Sequence, residues 1–156
     1  MPAIQFDQLK GATMTLSKDF DLTNPTVVVR LMCGLFYLPH AFFKINGFEG
    51  SVAAFAKMGF EPAAFWVLLA IATELVCAVG LTLNLYTRYV GLASAGTMAL
   101  AAYGTFATKG VHWMWNFGGV EYIVFWGVAS LALAVHAWKD ILARRIRVST
   151  ALFAPA

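Results

Sequence analysis

Four stretches of the chain are apolar almost without interruption, at about residues 26–43, 62–83, 88–108 and 117–138, and polar or glycine-bearing segments separate them. Each stretch is close to the roughly 20 residues with which a helix crosses about 30 Å of hydrocarbon. The pattern predicts an all-α fold, an integral membrane four-helix bundle. Asn24 and Pro25 supply an N-cap and a proline at the first helical position, and Pro62 opens the second helix in the same way. Pro39 falls late in the first stretch and predicts a kink there. The segment 45–61 carries Gly47, Gly50 and Gly59 and reads as a loop with a short interfacial helix around residues 51–60. The connection at 84–88 is so short that the second and third helices must be antiparallel neighbours. The loop 109–116 contains Trp113 and Trp115, the residue type that settles at a membrane interface.

Composition fixes the solvent. Of the 156 residues, 60% are hydrophobic and 12% charged, against roughly 45–50% and 25% in soluble domains. A chain this small cannot bury that much apolar surface in water, so the partner is the lipid bilayer. The net charge of +3 does not indicate nucleic acid, because the basic residues gather at helix ends. Lys10, Lys18, Arg88, Lys139, Arg144, Arg145 and Arg147 fall on one side of the predicted membrane, and Lys44, Lys57 and Lys109 on the other. The excess of Lys and Arg on the cytoplasmic side predicts an N-in/C-in orientation. Residues 1–24 then form a cytoplasmic arm without the pattern of a cleavable signal. Residues 25–139 form the transmembrane domain, and residues 140–156 a basic cytoplasmic tail. Cys33 and Cys77 read as small buried hydrophobes.

Six ionisable residues lie in or beside the apolar stretches: Arg30, His40, Lys44, Glu74, Glu121 and His136. Such residues mark function by default, because charge in hydrocarbon is costly. On the first helix Arg30, Cys33, Tyr37, His40 and Lys44 recur every three or four residues, within an arc of roughly 80°, which predicts a face turned into the bundle. Depths follow from about 1.5 Å of rise per residue. They place His40, Lys44, Tyr103 and Glu121 together toward the outer leaflet, with His112 and Trp113 above them. Tyr37 and Glu74, with Arg30, form a second, deeper group. Two readings fit Lys44 and Glu121: they neutralise each other and fix helix register, or they bind a ligand and move protons. Glu74 has no basic partner at its depth, so it reads as a protonated carboxyl able to donate to a carbonyl such as a quinone's. His136 reads as interfacial. Haem is disfavoured, since only His40 and His112 share a depth and His112 is in a loop. A metal site is no better supported.

The run Arg30-x-x-x-Gly34-x-x-Tyr37-x-x-His40-x-x-x-Lys44 with Gly47-Phe48 resembles the start of the DoxX family of membrane proteins. Glu74, the turn Leu85 to Arg88, and Gly118-Gly119-Val120-Glu121-Tyr122 add to the resemblance, which extends over about residues 26–138. It implies a four-helix bundle associated with redox chemistry, some members being similar to membrane subunits of a thiosulfate:quinone oxidoreductase. Arg30, His40, Lys44, Glu74 and Glu121 match the family's polar positions. The expectation is a quinone-interacting subunit of a redox complex in a bacterial inner membrane, without a bound redox cofactor of its own. Glu121, His40 and Glu74 are its candidate catalytic groups, and Arg30, Tyr37, Lys44, Tyr103, His112 and Trp113 its ligand contacts. The alternative is an accessory subunit without chemistry, docked on other membrane subunits or on copies of itself; a small transporter is a third reading.

Overall fold

The computed structural model describes residues 18–152. Helix α1 (Pro25–Leu35) is followed by α2 (Tyr37–Asn46), α3 (Phe48–Lys57), α4 (Ala63–Thr82), α5 (Thr87–Lys109), a 3-10 turn (Trp115–Phe117) and α6 (Glu121–Leu152). No strand occurs among the described residues. Four spans are long and apolar enough to cross a membrane: Pro25–Asn46, Ala63–Thr82, Thr87–Lys109 and Glu121–Ala143. Phe43, Phe65, Phe125 and Val128 are exposed on these helices, as a lipid-facing surface requires. Most of the predicted arm (residues 1–17, with Lys10) and the end of the tail (153–156) lie outside the described residues.

The first span is two helices, not one kinked helix. Asn24 Oδ1 accepts the Thr26 N–H at 2.9 Å and starts α1 as expected. The break falls at Phe36, one turn before Pro39. Proline at 39 has no N–H for the carbonyl of residue 35, and its ring crowds that same carbonyl, so α1 stops at Leu35. The segment 45–61 does hold a helix, α3, as the sequence suggests.

The fourth helix departs further. It begins at Glu121 rather than 117 and continues through Leu152, so most of the predicted tail is helical. Gly118 has φ 75°, a left-handed conformation that suits glycine. A Cβ at Gly119 would overlap the Trp113 carbonyl. The Gly-Gly pair is therefore a turn, closed by Val120 N–H to the His112 carbonyl (3.1 Å) and Glu121 N–H to the Trp113 carbonyl (3.0 Å).

At the opposite end, α4 and α5 are joined by a tight hairpin in which Asn84 and Tyr86 both have positive φ. Asn84 tolerates that conformation and is held on both sides: its Oδ1 accepts from Thr87 Oγ1 (2.6 Å), and its Nδ2 donates to Asp19 Oδ1 (2.7 Å). Beside the hairpin the Arg88 guanidinium lies 4.6 Å from the Tyr89 ring centre and 5.2 Å from that of Trp138. A cation against two aromatic faces suits a membrane interface. The core runs from Leu81 and Leu133 near this end, through Cys33, Cys77 and Tyr37, to Trp126 and Ile123.

Candidate functional site

A cavity of about 450 Å³ opens between α2, α3, α4, α5 and α6. Its wall is mainly apolar and aromatic, with Phe55, Phe60, Trp66 and Met98 among the lining residues. His40, Lys44, Glu74, Tyr122 and Trp126 bring polar groups to it. The sequence signals that built α2 and α4 also aim these groups. Tyr37 and Ala41 are fully buried, which turns that face of α2 inward, and Lys44 follows on the same face. Glu74 lies on the face of α4 shared by Val67, Cys77 and Leu81, all buried.

Lys44 Nζ donates to Glu74 Oε1 at 2.7 Å and to the His40 carbonyl at 3.3 Å. The pairing corrects two sequence expectations: Lys44 does not meet Glu121, and Glu74 does have a basic partner. Helical side chains lean toward the N-terminus of their helix. Lys44 therefore reaches back along α2 toward mid-span, roughly one turn below its own Cα, and arrives at the depth of Glu74.

The predicted outer cluster is accordingly divided. Glu121 sits at the first turn of α6, where its Oε2 accepts the Trp115 backbone N–H at 3.3 Å, a position a helix N-terminus favours for a carboxylate. Tyr103 is 54% exposed and packs edge-on against Phe60, with centroids 5.6 Å apart. His112 and Trp113 are exposed in the turn that closes onto α6. None of these four residues lines the cavity. His136 is exposed and pairs with Asp140 at 3.5 Å. Among the described residues no three His, Cys, Asp or Glu side chains gather as a metal site would need.

The deeper group is divided as well. Arg30 turns away from Glu74 and donates to the carbonyls of Leu81 and Thr82 at the end of α4, and to that of Asp19. A cation there satisfies carbonyls that have no partner within their own helix and faces the negative end of its dipole. Replacing Arg30 by Met is expected to lower stability by about 2 kcal/mol, read as an earlier thermal unfolding in detergent. Unaltered unfolding would show that those carbonyls do not depend on it. Tyr37 is fully buried; its hydroxyl meets Ser94 Oγ at 2.8 Å, and Ser94 Oγ meets Ser130 Oγ at 2.7 Å. This chain of hydroxyls ties α2, α5 and α6 together beneath the cavity rather than lining it.

The residue that sequence reasoning missed is Trp126. Its ring lies 4.7 Å from Tyr37, 5.7 Å from His40 and 6.2 Å from Phe36, centre to centre. His40, Tyr122 and Trp126 also line a second, apolar groove on the far side, with Cys33 and Pro39. The three side chains thus form a wall between two spaces. The threonines along the main cavity give their protons to carbonyls of their own helices, Thr73 to Leu69, Thr97 to Ala93 and Thr105 to Ala101. Two buried polar atoms in its lining residues have no hydrogen-bond partner: Glu74 Oε2 and Trp126 Nε1.

Residues 26–113, over half of the chain, match the DoxX family. The chain belongs to the DoxX family. The match takes in His40, Lys44 and Glu74 and ends in the loop before α6, so Glu121, Trp126 and Ser130 lie beyond it. No curated protein and no solved structure matches the chain. As a DoxX protein with four apolar helices it is a multi-pass membrane protein.

Proposed function

We propose that this DoxX chain is the quinone-binding membrane subunit of a redox complex, and that the ring binds in the cavity beside Lys44, Glu74, His40 and Trp126. The observation that carries the reading is a largely apolar, aromatic-walled cavity into which α2 and α4 bring few polar side chains, His40, Lys44 and Glu74. Binding sites for small apolar molecules have that make-up. The ring of a quinone fits between Trp66, Phe60 and Trp126, with its oxygens toward Lys44 and His40. The chain holds and orients the ring, and a partner subunit supplies the electron carrier. The spread of Lys and Arg along the sequence supports both termini facing the cytoplasm of a bacterial cell.

The test is binding of a short-tailed quinone to the full chain in detergent micelles, followed by calorimetry. Saturable binding is expected, and Trp126→Ala should weaken it roughly tenfold through loss of an aromatic wall of the cavity. His40→Ala and Lys44→Met/Glu74→Gln should abolish quinone-linked electron transfer in membranes. Absence of saturable binding by the native chain would overturn the proposal.

One arrangement favours a second reading, an accessory subunit without chemistry. Lys44 with Glu74, and Tyr37 with Ser94 and Ser130, each join helices distant in sequence, as a purely structural clasp does. Under that reading a larger assembly, or copies of the same chain, is recovered in mild detergent, and quinone has no effect on it.

A further inference from the structure

A groove of about 280 Å³ lies at the end of the bundle marked by the α4–α5 hairpin, between the start of α5 and the last turns of α6. Arg88 and Tyr89 line it from α5, and Trp138, Lys139, Leu142 and Arg145 from α6. Three of its lining residues are cations and none is acidic. The ion pairs among the described residues are Lys44 with Glu74 and His136 with Asp140, so no carboxylate there offsets the three charges. Asp140 lines a neighbouring space instead, with His136 and Asp19. The Arg88 guanidinium is held against the Tyr89 and Trp138 rings, and Lys139 and Arg145 are exposed. Like charges gathered in one groove repel, and an anion among them relieves the repulsion.

The groove also lies where the apolar spans stop: Thr87 begins the third span and Ala143 ends the fourth. From Trp138 to Arg145 a helix rises about 10 Å, enough to leave the hydrocarbon and cross a headgroup layer roughly 6 Å deep. The wall carries both kinds of surface that this boundary calls for, the apolar faces of Tyr89, Trp138 and Leu142 and the three cations. We propose that the groove is a binding site for an anionic phospholipid, with its phosphate among Arg88, Lys139 and Arg145 and the start of its acyl chains on Tyr89, Trp138 and Leu142. A free phosphate leaves those apolar faces uncovered. A zwitterionic lipid brings an ammonium against three cations. Each Lys or Arg beside an anionic lipid surface is worth roughly fivefold in affinity, so three of them favour the anionic lipid by on the order of a hundredfold. The site is independent of the quinone reading.

Native mass spectrometry of the full chain, released from an uncharged detergent at fixed ionic strength, tests this by the affinity of the first lipid bound. The probes are phosphatidylglycerol and phosphatidylcholine with the same acyl chains, and inorganic phosphate as a competitor. Phosphatidylglycerol is expected to bind tighter by on the order of a hundredfold, and Lys139→Gln/Arg145→Gln should reduce that preference to about fivefold. Lys57→Gln/Lys109→Gln is the control. It removes the same charge from exposed side chains outside the groove and should leave the preference as it is. A preference under about tenfold in the native chain overturns the proposal. An equal fall in both double variants also overturns it, since the effect then belongs to overall charge. Displacement of the lipid by inorganic phosphate would identify a site for the free ion and overturn the assignment to lipid.

Discussion

Glu74→Leu is expected to destabilise the protein by about 3–5 kcal/mol, because it strands the Lys44 ammonium inside the bundle. Lys44 Nζ lies 2.7 Å from the carboxylate, and both side chains are largely shielded, 14% and 7% exposed. Their mutual attraction offsets the desolvation of each. With the carboxylate gone, only the His40 carbonyl at 3.3 Å remains to the ammonium. Lys44→Met/Glu74→Leu should recover most of the loss, since a buried ion pair replaced by apolar groups of similar size is often neutral or stabilising. Thermal unfolding of the three proteins in the same detergent decides it. A Glu74→Leu protein that unfolds with the native one would mean that Lys44 escapes to the surface, and the pair would then have no structural role.

The same pair shows where sequence reasoning stops. The stripe from Arg30 to Lys44 is legible because a helix repeats every 3.6 residues, and Arg30, Cys33 and Tyr37 are buried as that periodicity requires. Periodicity gives the face of a residue but not the reach of its side chain. Lys44 is long enough to change depth by about a turn, so levels reckoned from Cα rise pair it with the wrong carboxylate. Glu121 is misplaced for a separate reason: Gly118 and Gly119 look like the opening of a helix, whereas they form the turn before one. Trp126 is not legible at all. In the predicted helix 117–138 it is one large apolar residue among many near mid-span, and nothing local shows that its ring meets Tyr37 and His40. Ser94 and Ser130 do leave a trace, as hydroxyls within runs of small residues. In membrane helices such positions pack closely and hydrogen-bond across the interface; only the pairing between them needs the fold.

Gly91→Val should be nearly as damaging as the loss of the Glu74 carboxylate, at about 3 kcal/mol, because it separates α5 from α6 at a point of close approach. A Cβ at Gly91 would lie 2.8 Å from the Ser130 carbonyl oxygen and 3.0 Å from the Ala134 Cβ. The first of these is backbone, so no side-chain rotation relieves it. The strain also reaches the buried hydroxyls, since Ser94 is one turn along α5 from Gly91 and its 2.7 Å contact with Ser130 spans this same interface. Gly96→Ala is the control: apart from its chain neighbours and its own helix backbone, no atom lies within 4 Å of a Cβ at that position, and replacing glycine by alanine in a helix interior is neutral or slightly stabilising. Ser130→Ala adds a further check. If Gly91→Val acts by parting the helices, it already breaks the Ser94–Ser130 contact, so the double variant should lose clearly less than the sum of the two single losses. Additive losses would instead place the effect of Gly91→Val away from the α5–α6 seam.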